Sequence, residues 1–209
     1  MSGTLYHRTL GLGLLAAAVL AGCSDTSPAG PSQEGFGPSL RRAEPTFSFT
    51  SIAVPGATAT SAQGINAAGQ VVGWYVTADG RRHGFLMNGS TTFTTIDYPG
   101  AYHTDLRGIG PNGELVGNFA AAGEPGVAFH GFRRDAQGEF TAVHYVGHDY
   151  EILQRILPDG TILGCRHDEN TTSTMRGIVI NAQGGSGEIN AYASMHNGAT
   201  PDLSRIVGL

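Results

Sequence analysis

Three observations predict that this 209-residue chain is all-β, a β-propeller-like array of about three and a half four-stranded blades. The first is a repeat. Phe49-Thr50-Ser51-Ile52-Ala53-Val54-Pro55-Gly56-Ala57 returns as Phe93-Thr94-Thr95-Ile96-Asp97-Tyr98-Pro99-Gly100-Ala101, and a worn third copy starts at Phe140-Thr141-Ala142-Val143. The shifts are 44 and 47 residues, a period that marks propellers, solenoids or arrays. The second is punctuation: each unit splits into short runs separated by Gly, Asn, Asp or Pro, with no 3.6-residue apolar period. The third is Val71-Val72-Gly73, Leu115-Val116-Gly117 and Ile162-Leu163-Gly164. Two adjacent apolar residues face opposite sides of a strand, so both faces are covered, and the glycine admits a close neighbour. Radially packed four-stranded sheets provide such an environment.

Taken in order, the strand-like runs of unit one fall near 49–54, 63–66, 70–76 and 82–87. Those of unit two fall near 92–98, 107–110, 114–119 and 128–133, and those of unit three near 140–146, 154–157, 161–166 and 176–180. A fourth unit begins around Ile189 and holds about two strands before Leu209, with Gly185-Ser186-Gly187 read as a flexible join. Four complete units would need more strands than this, so the ring is either thin in its last unit or open, and open edges favour association. The connection between the second and third runs aligns Gly64-Ile65-Asn66-Ala67-Ala68-Gly69 with Gly108-Ile109-Gly110-Pro111-Asn112-Gly113 and Arg155-Ile156-Leu157-Pro158-Asp159-Gly160. Asn-Gly and Asp-Gly suit a tight hairpin whose central positions need positive φ. The Gly108-x-Gly110-x-x-Gly113 spacing formally matches a dinucleotide fingerprint, but no βαβ pattern surrounds it and its equivalents mark it as a hairpin.

Upstream of the repeats, residues 1–22 read as a secretory signal, with a weak basic start at His7 and Arg8 and an apolar run over 10–20 that is short for a membrane span. The run ends in Leu20-Ala21-Gly22-Cys23, which resembles a bacterial lipobox. That resemblance implies lipid attachment at Cys23 and, with Ser24 following, an outer-membrane destination in the cell envelope. Several acyl chains give firm anchoring where one does not. After the lipidated Cys23, residues 24–45 are rich in Ser, Pro and Gly and read as a disordered tether. Such a coil spans roughly 26 Å root-mean-square. Residues 46–209 remain as one β-repeat domain.

Composition excludes some functions. Lys and Arg total 12, all of them arginine, against 17 acidic residues, so the net charge is −5. The arginine pairs at 41–42, 81–82 and 133–134 are dispersed, and no clustered basic surface for nucleic acid is expected. With Cys23 acylated, Cys165 has no intramolecular partner and reads as an inert thiol. No nucleophile elbow, kinase set or metalloprotease motif occurs. Paired carboxylates for glycoside chemistry are a matter of spatial separation that sequence does not reveal.

The units Phe93 to Ala101, Gly64-Ile65-Asn66 with Val71-Val72-Gly73-Trp74-Tyr75, and His83-Gly84-Phe85-Leu86 resemble the HAF repeats of exported bacterial proteins. His130-Gly131-Phe132 repeats the last element, while the third unit has Arg176-Gly177-Ile178 there. The resemblance covers residues 49–132 and then fades. It implies an exported β-repeat protein and no particular activity.

His83 and His130, recurring before Gly-Phe, read as structural hydrogen-bonding residues. The loop between the first and second runs of each unit is the better place for a ligand. It carries His103 and Asp105 in unit two, His148, Asp149 and Glu151 in unit three, and His196 and Asp202 in unit four. Equivalent propeller loops gather on one face, where imidazole and carboxylate could bind a ligand; a metal would need three or four convergent donors. No metal and no cofactor is expected. The position after the strand glycine (Trp74, Asn118, Cys165) either lines a channel or is tolerant packing. The expectation is a lipid-anchored, non-catalytic binding or interaction module whose partners are the membrane and an unknown ligand or envelope protein. The alternatives are a propeller hydrolase or lyase acting on polysaccharide, and a structural component that self-associates as a homo-oligomer.

Overall fold

The computed structural model describes residues 46–124, 129–148, 150–167, 175–192 and 195–208. The expected signal, Cys23 and the expected tether lie outside them, as does Asp149. Phe49–Leu209 forms one compact unit. Among the described residues there are 14 strands in four antiparallel sheets, none closed on itself, and no helix.

The first sheet is β1 (Ala59–Ile65), β2 (Val71–Val76), β3 (Arg82–Asn88) and β4 (Thr92–Thr95), in that order. The second repeats the order with β5 (His103–Ile109), β6 (Leu115–Ala120), β7 (His130–Arg134) and β8 (Phe140–Val143). The third holds β9 (Tyr150–Ile156), β10 (Ile162–His167), β11 (Arg176–Ile180) and β12 (Ser186–Tyr192). The last pairs only β13 (His196–Ala199) with β14 (Ile206–Gly208).

The sheets are out of phase with the sequence repeat. The Phe-Thr segment expected to open a unit instead closes the preceding sheet: Phe93 pairs with Met87 across β3–β4, and Phe140 with Arg134 across β7–β8. A short turn brings each segment straight back against the strand it has just left. The copy at 49–54 has no preceding strand among the described residues and forms none. Ile52 and Val54 pack on the cluster of Val71, Phe85 and Met87, while Phe49 is 96% exposed. Ser186 and Gly187, expected in a flexible join, lie in β12.

Turn chemistry explains the connections. At the first hairpin of each complete sheet the Gly69, Gly113 and Gly160 N–H groups donate to the carbonyls of Asn66, Gly110 and Leu157, three residues back. Each of these glycines has φ between 76° and 89°. Among the described residues Leu203 is the one non-glycine at positive φ, so Asn112 and Asp159 do not share the left-handed conformation. The hairpins are therefore turns followed by a left-handed glycine, not two-residue loops with both central residues at positive φ.

The first strand of every sheet carries the same irregularity. The register shifts between Ala62 and Gly64 in β1, between Leu106 and Gly108 in β5, opposite Leu163 and Gly164 in β9, and between His196 and Gly198 in β13. One residue is extra each time: Gln63, Arg107, Gln154 and Asn197. A bulge of this kind bends its strand and crowds the neighbour. A Cβ on Gly73, Gly117, Gly164 or Gly208 would run into the carbonyl oxygen of Ser61, Asp105, Ile152 or Met195 respectively. That steric demand accounts for the glycine after two apolar residues, and it extends to Ile206-Val207-Gly208 in the last sheet.

Consecutive sheets meet through equivalent residues. A Cβ on Gly84 would stand 2.9 Å from Leu106 Cγ, and one on Gly131 2.9 Å from Leu153 Cδ1; at Gly177 it would meet the His196 ring. Leu106, Leu153 and His196 are 0%, 0% and 5% exposed, whereas Ala62, at the matching place in the first sheet, is exposed. Burial at these contacts supplies the main driving force, at roughly 25 cal/mol per Å² of apolar surface.

Candidate functional site

The predicted ligand residues fall at strand starts as well as in loops. His103 and Asp105 lie on β5 and Glu151 on β9, while His148 closes the turn at 145–148. His196 is on β13 and Asp202 in the β13–β14 turn. Asp149 lies outside the described residues.

Glu151 has a role that repeats in simpler form elsewhere. The Val54 N–H donates to Thr60 Oγ1 at 3.0 Å, the Tyr98 N–H to Thr104 Oγ1 at 3.0 Å, and the Tyr145 N–H to Glu151 Oε1 at 2.8 Å. In each case a side-chain oxygen on the first strand of a sheet ties down the turn before it, whose Gly56, Gly100 or Gly147 has positive φ. Glu151 is fully buried and holds that turn in the third sheet.

His103 and Asp105 belong to a buried ionic cluster at the sheet interface. Asp105 is 1% exposed, and its Oδ2 lies 3.2 Å from Arg82 Nη1 and 3.4 Å from Arg107 Nη2. Burial pushes the Asp105 carboxyl above its ordinary range, against the pull of both arginines, and pushes the Arg107 guanidinium down. His103 Nδ1 accepts the Arg82 N–H at 3.0 Å, which leaves the ring proton on Nε2, and burial lowers the imidazole pKa. Asn118, paired with Asp105 across the strands, donates from Nδ2 to the Glu151 carbonyl at 2.5 Å. Asn118 is thus buried and bridges the second and third sheets. Cys165 is also buried, and desolvation pushes its thiol to about 12, so it is no nucleophile at neutral pH.

The repeated histidines hold structure. His83 Nδ1 lies 2.7 Å from Asp97 Oδ2 while the Gly84 N–H donates to Asp97 Oδ1 at 3.1 Å, and Tyr75 stacks on the ring. His130 Nε2 lies 2.9 Å from Glu124 Oε1. Among the described residues no three His, Cys, Asp or Glu side chains converge as a metal site.

What does converge is the opposite end of β1, β5, β9 and β13. Their hairpin tips border a cavity of about 350 Å³ lined from all four sheets, by residues 65–67, 109 and 111, 155–158, and 198–199. Ile65, Ile109, Ile156 and Ala199 stand at equivalent positions there, and the Asn66 amide ties the first tip to the second by donating to the Gly110 carbonyl at 3.4 Å. Arg155 is the one charged residue in this lining. Sequence reading missed this mouth, although the alignment of the three hairpins already placed Ile65, Ile109 and Ile156 together. No family model matches the chain, and no curated protein matches it.

Proposed function

We propose that this chain is a lipid-anchored, non-catalytic binding module of a bacterial cell envelope, an open propeller-like array of HAF-type units that takes its ligand at the axial mouth. The observation that carries this reading is the cavity bordered by equivalent hairpin tips of all four sheets. Ligands favour a concave, mostly apolar site with few polar groups, placed where several elements meet. The repeated contacts of Leu106 on Gly84, Leu153 on Gly131 and His196 on Gly177 support radial packing of successive sheets. The lipobox-like Leu20-Ala21-Gly22-Cys23 supports anchoring, with the outer membrane as destination.

The test is a panel of glycans, peptides and small amphiphiles followed by isoleucine methyl spectra of the full chain. A true ligand shifts Ile65, Ile109 and Ile156 together. A ligand that shifts only residues around His103 and Asp105 overturns the mouth as the site, and glycan cleavage lost on changing one acidic residue overturns the non-catalytic reading in favour of a polysaccharide hydrolase or lyase. Anchoring is checked separately, because Cys23→Ser releases the protein from membranes if Cys23 carries the lipid.

A second reading, self-association, is favoured by uncovered residues of β1. Ala62 is exposed where Leu106 and Leu153 are buried, Ile65 is 60% exposed although Ile109 and Ile156 are 4% exposed, and among the described residues β14 has a single strand neighbour. Sedimentation that finds only monomer at high concentration would sink it.

A further inference from the structure

We infer that the mouth selects an amphiphile with an anionic head, and that Arg155 is the residue that recognises the charge. This rests on the mouth being the ligand site and specifies what that site takes.

The register identifies Arg155 as an exception. The residue just after each bulge pairs with the one just before the strand glycine: Gly64 with Val72, Gly108 with Val116, Arg155 with Leu163, and Gly198 with Val207. Three of the four are glycine, and close packing explains it in two of them. A Cβ on Gly64 would stand 2.8 Å from the Arg107 carbonyl oxygen, and one on Gly108 3.0 Å from Arg155 Cα. The third sheet places the bulkiest cation at this axial position. Its Nε donates to the Asn197 carbonyl at 3.4 Å, across to β13. Arg155 also lines a second cavity of about 330 Å³, which runs past Ala62 and Ile65 of the first sheet and past Ile52 before it.

A guanidinium has five donors and no acceptor, so its partner is a hydrogen-bond acceptor, and an anion is the strongest one. Beside Arg155 the lining has one further polar side chain, Asn66, which is engaged by Gln70, Ala68 and the Gly110 carbonyl; the other large side chains, Ile65, Ile109, Ile156, Leu157, Pro111 and Pro158, are aliphatic. Among the described residues no carboxylate lines it to attract a cation, and it has few groups to read sugar hydroxyls. An aliphatic body with a carboxylate or similar head satisfies both halves of the lining. Charge-assisted, bidentate contacts from arginine are among the stronger ones in proteins.

The experiment titrates octanoate, octan-1-ol and octylamine into the full chain and into its Arg155→Gly and Arg155→Gln variants, following the methyl signals of Ile65, Ile109 and Ile156. Glycine is the residue at the three equivalent positions, and the neutral glutamine keeps bulk should glycine loosen the fold. Octanoate is expected to bind at least about tenfold more tightly than octan-1-ol, with octylamine weakest, and both variants are expected to erase that preference while leaving octan-1-ol within about twofold. Equal binding of octanoate and octan-1-ol, or a preference that survives both variants, overturns the role of Arg155 and leaves the mouth standing. Absence of any shift at the three isoleucines with all three probes overturns this inference, and if no other ligand of the panel shifts them the mouth falls with it.

Discussion

Leu106 covers Gly84 of the adjoining sheet so closely that a methyl group at residue 84 would meet both Leu106 and the Ile96 carbonyl oxygen. Gly84→Ala is therefore expected to cost about 1–3 kcal/mol, the usual range for overpacking a filled interface. Gly131→Ala, facing Leu153 at 2.9 Å, belongs to the same class. Gly69→Ala meets open space but sits at φ 76°, so its cost is backbone strain alone, about 1 kcal/mol. Urea unfolding of the three variants checks the order, and a Gly69 variant less stable than both others would refute it.

His196 occupies the place held by leucine in the two preceding sheets. Its ring lies over Gly177, its Nδ1 has no hydrogen-bond partner among the described residues, and burial lowers its pKa below the ordinary 6.5. The unfolded chain then takes up a proton before the folded one does. Stability is full above about pH 6.5 and falls as the pH drops below it. His196→Leu is expected to raise stability and to flatten the loss between pH 7 and 5, with a residual slope from His103, whose pKa is also lowered. Unfolding curves over that range, with and without the substitution, decide it.

Glu151 does the work of a threonine. Glu151→Ala removes the acceptor for the Tyr145 N–H and is expected to cost about 1–3 kcal/mol. Glu151→Thr, which recreates the arrangement at Thr60 and Thr104, should recover at least half of that in chemical denaturation. Equal losses in the two variants would separate Glu151 from the turn-holding role.

Asp105 is the anion between two arginines. Asp105→Asn leaves the largely buried Arg107 without its charge partner, and about 3 kcal/mol of destabilisation is expected from an uncompensated buried charge. A double-mutant cycle with Arg82→Gln measures the coupling, and a coupling near zero would show the cluster to be incidental packing.

Local chemistry was readable from the chain. The left-handed Gly69, Gly113 and Gly160 were expected at their turns, and the crowding behind Gly73, Gly117 and Gly164 was anticipated as a close neighbour, though not as the bulge carbonyl beside each. The placement of Phe93 and Phe140 was not readable, because a period of 44 to 47 residues fixes spacing but carries no information about where one sheet ends. The site suffered from the same blindness. His103, Asp105 and Glu151 stood out as polar residues, whereas Arg82 reaches Asp105 from the neighbouring sheet, Arg107 reaches it from the bulge of the same strand, and the Tyr145 N–H comes to Glu151 from the preceding turn.

Turn positions, the all-strand character and the two-sided apolar strands follow from the sequence by itself, because each depends on backbone sterics and side-chain alternation within a few residues. The phase of the sheets, the burial of Asp105 and the gathering of Ile65, Ile109, Ile156 and Arg155 at one mouth were decided by tertiary structure. The mouth requires residues more than forty positions apart to meet, Asp105 is buried against Arg82 of the neighbouring sheet, and the phase depends on which of two flanking strands a Phe-Thr segment joins; short stretches of sequence settle none of these.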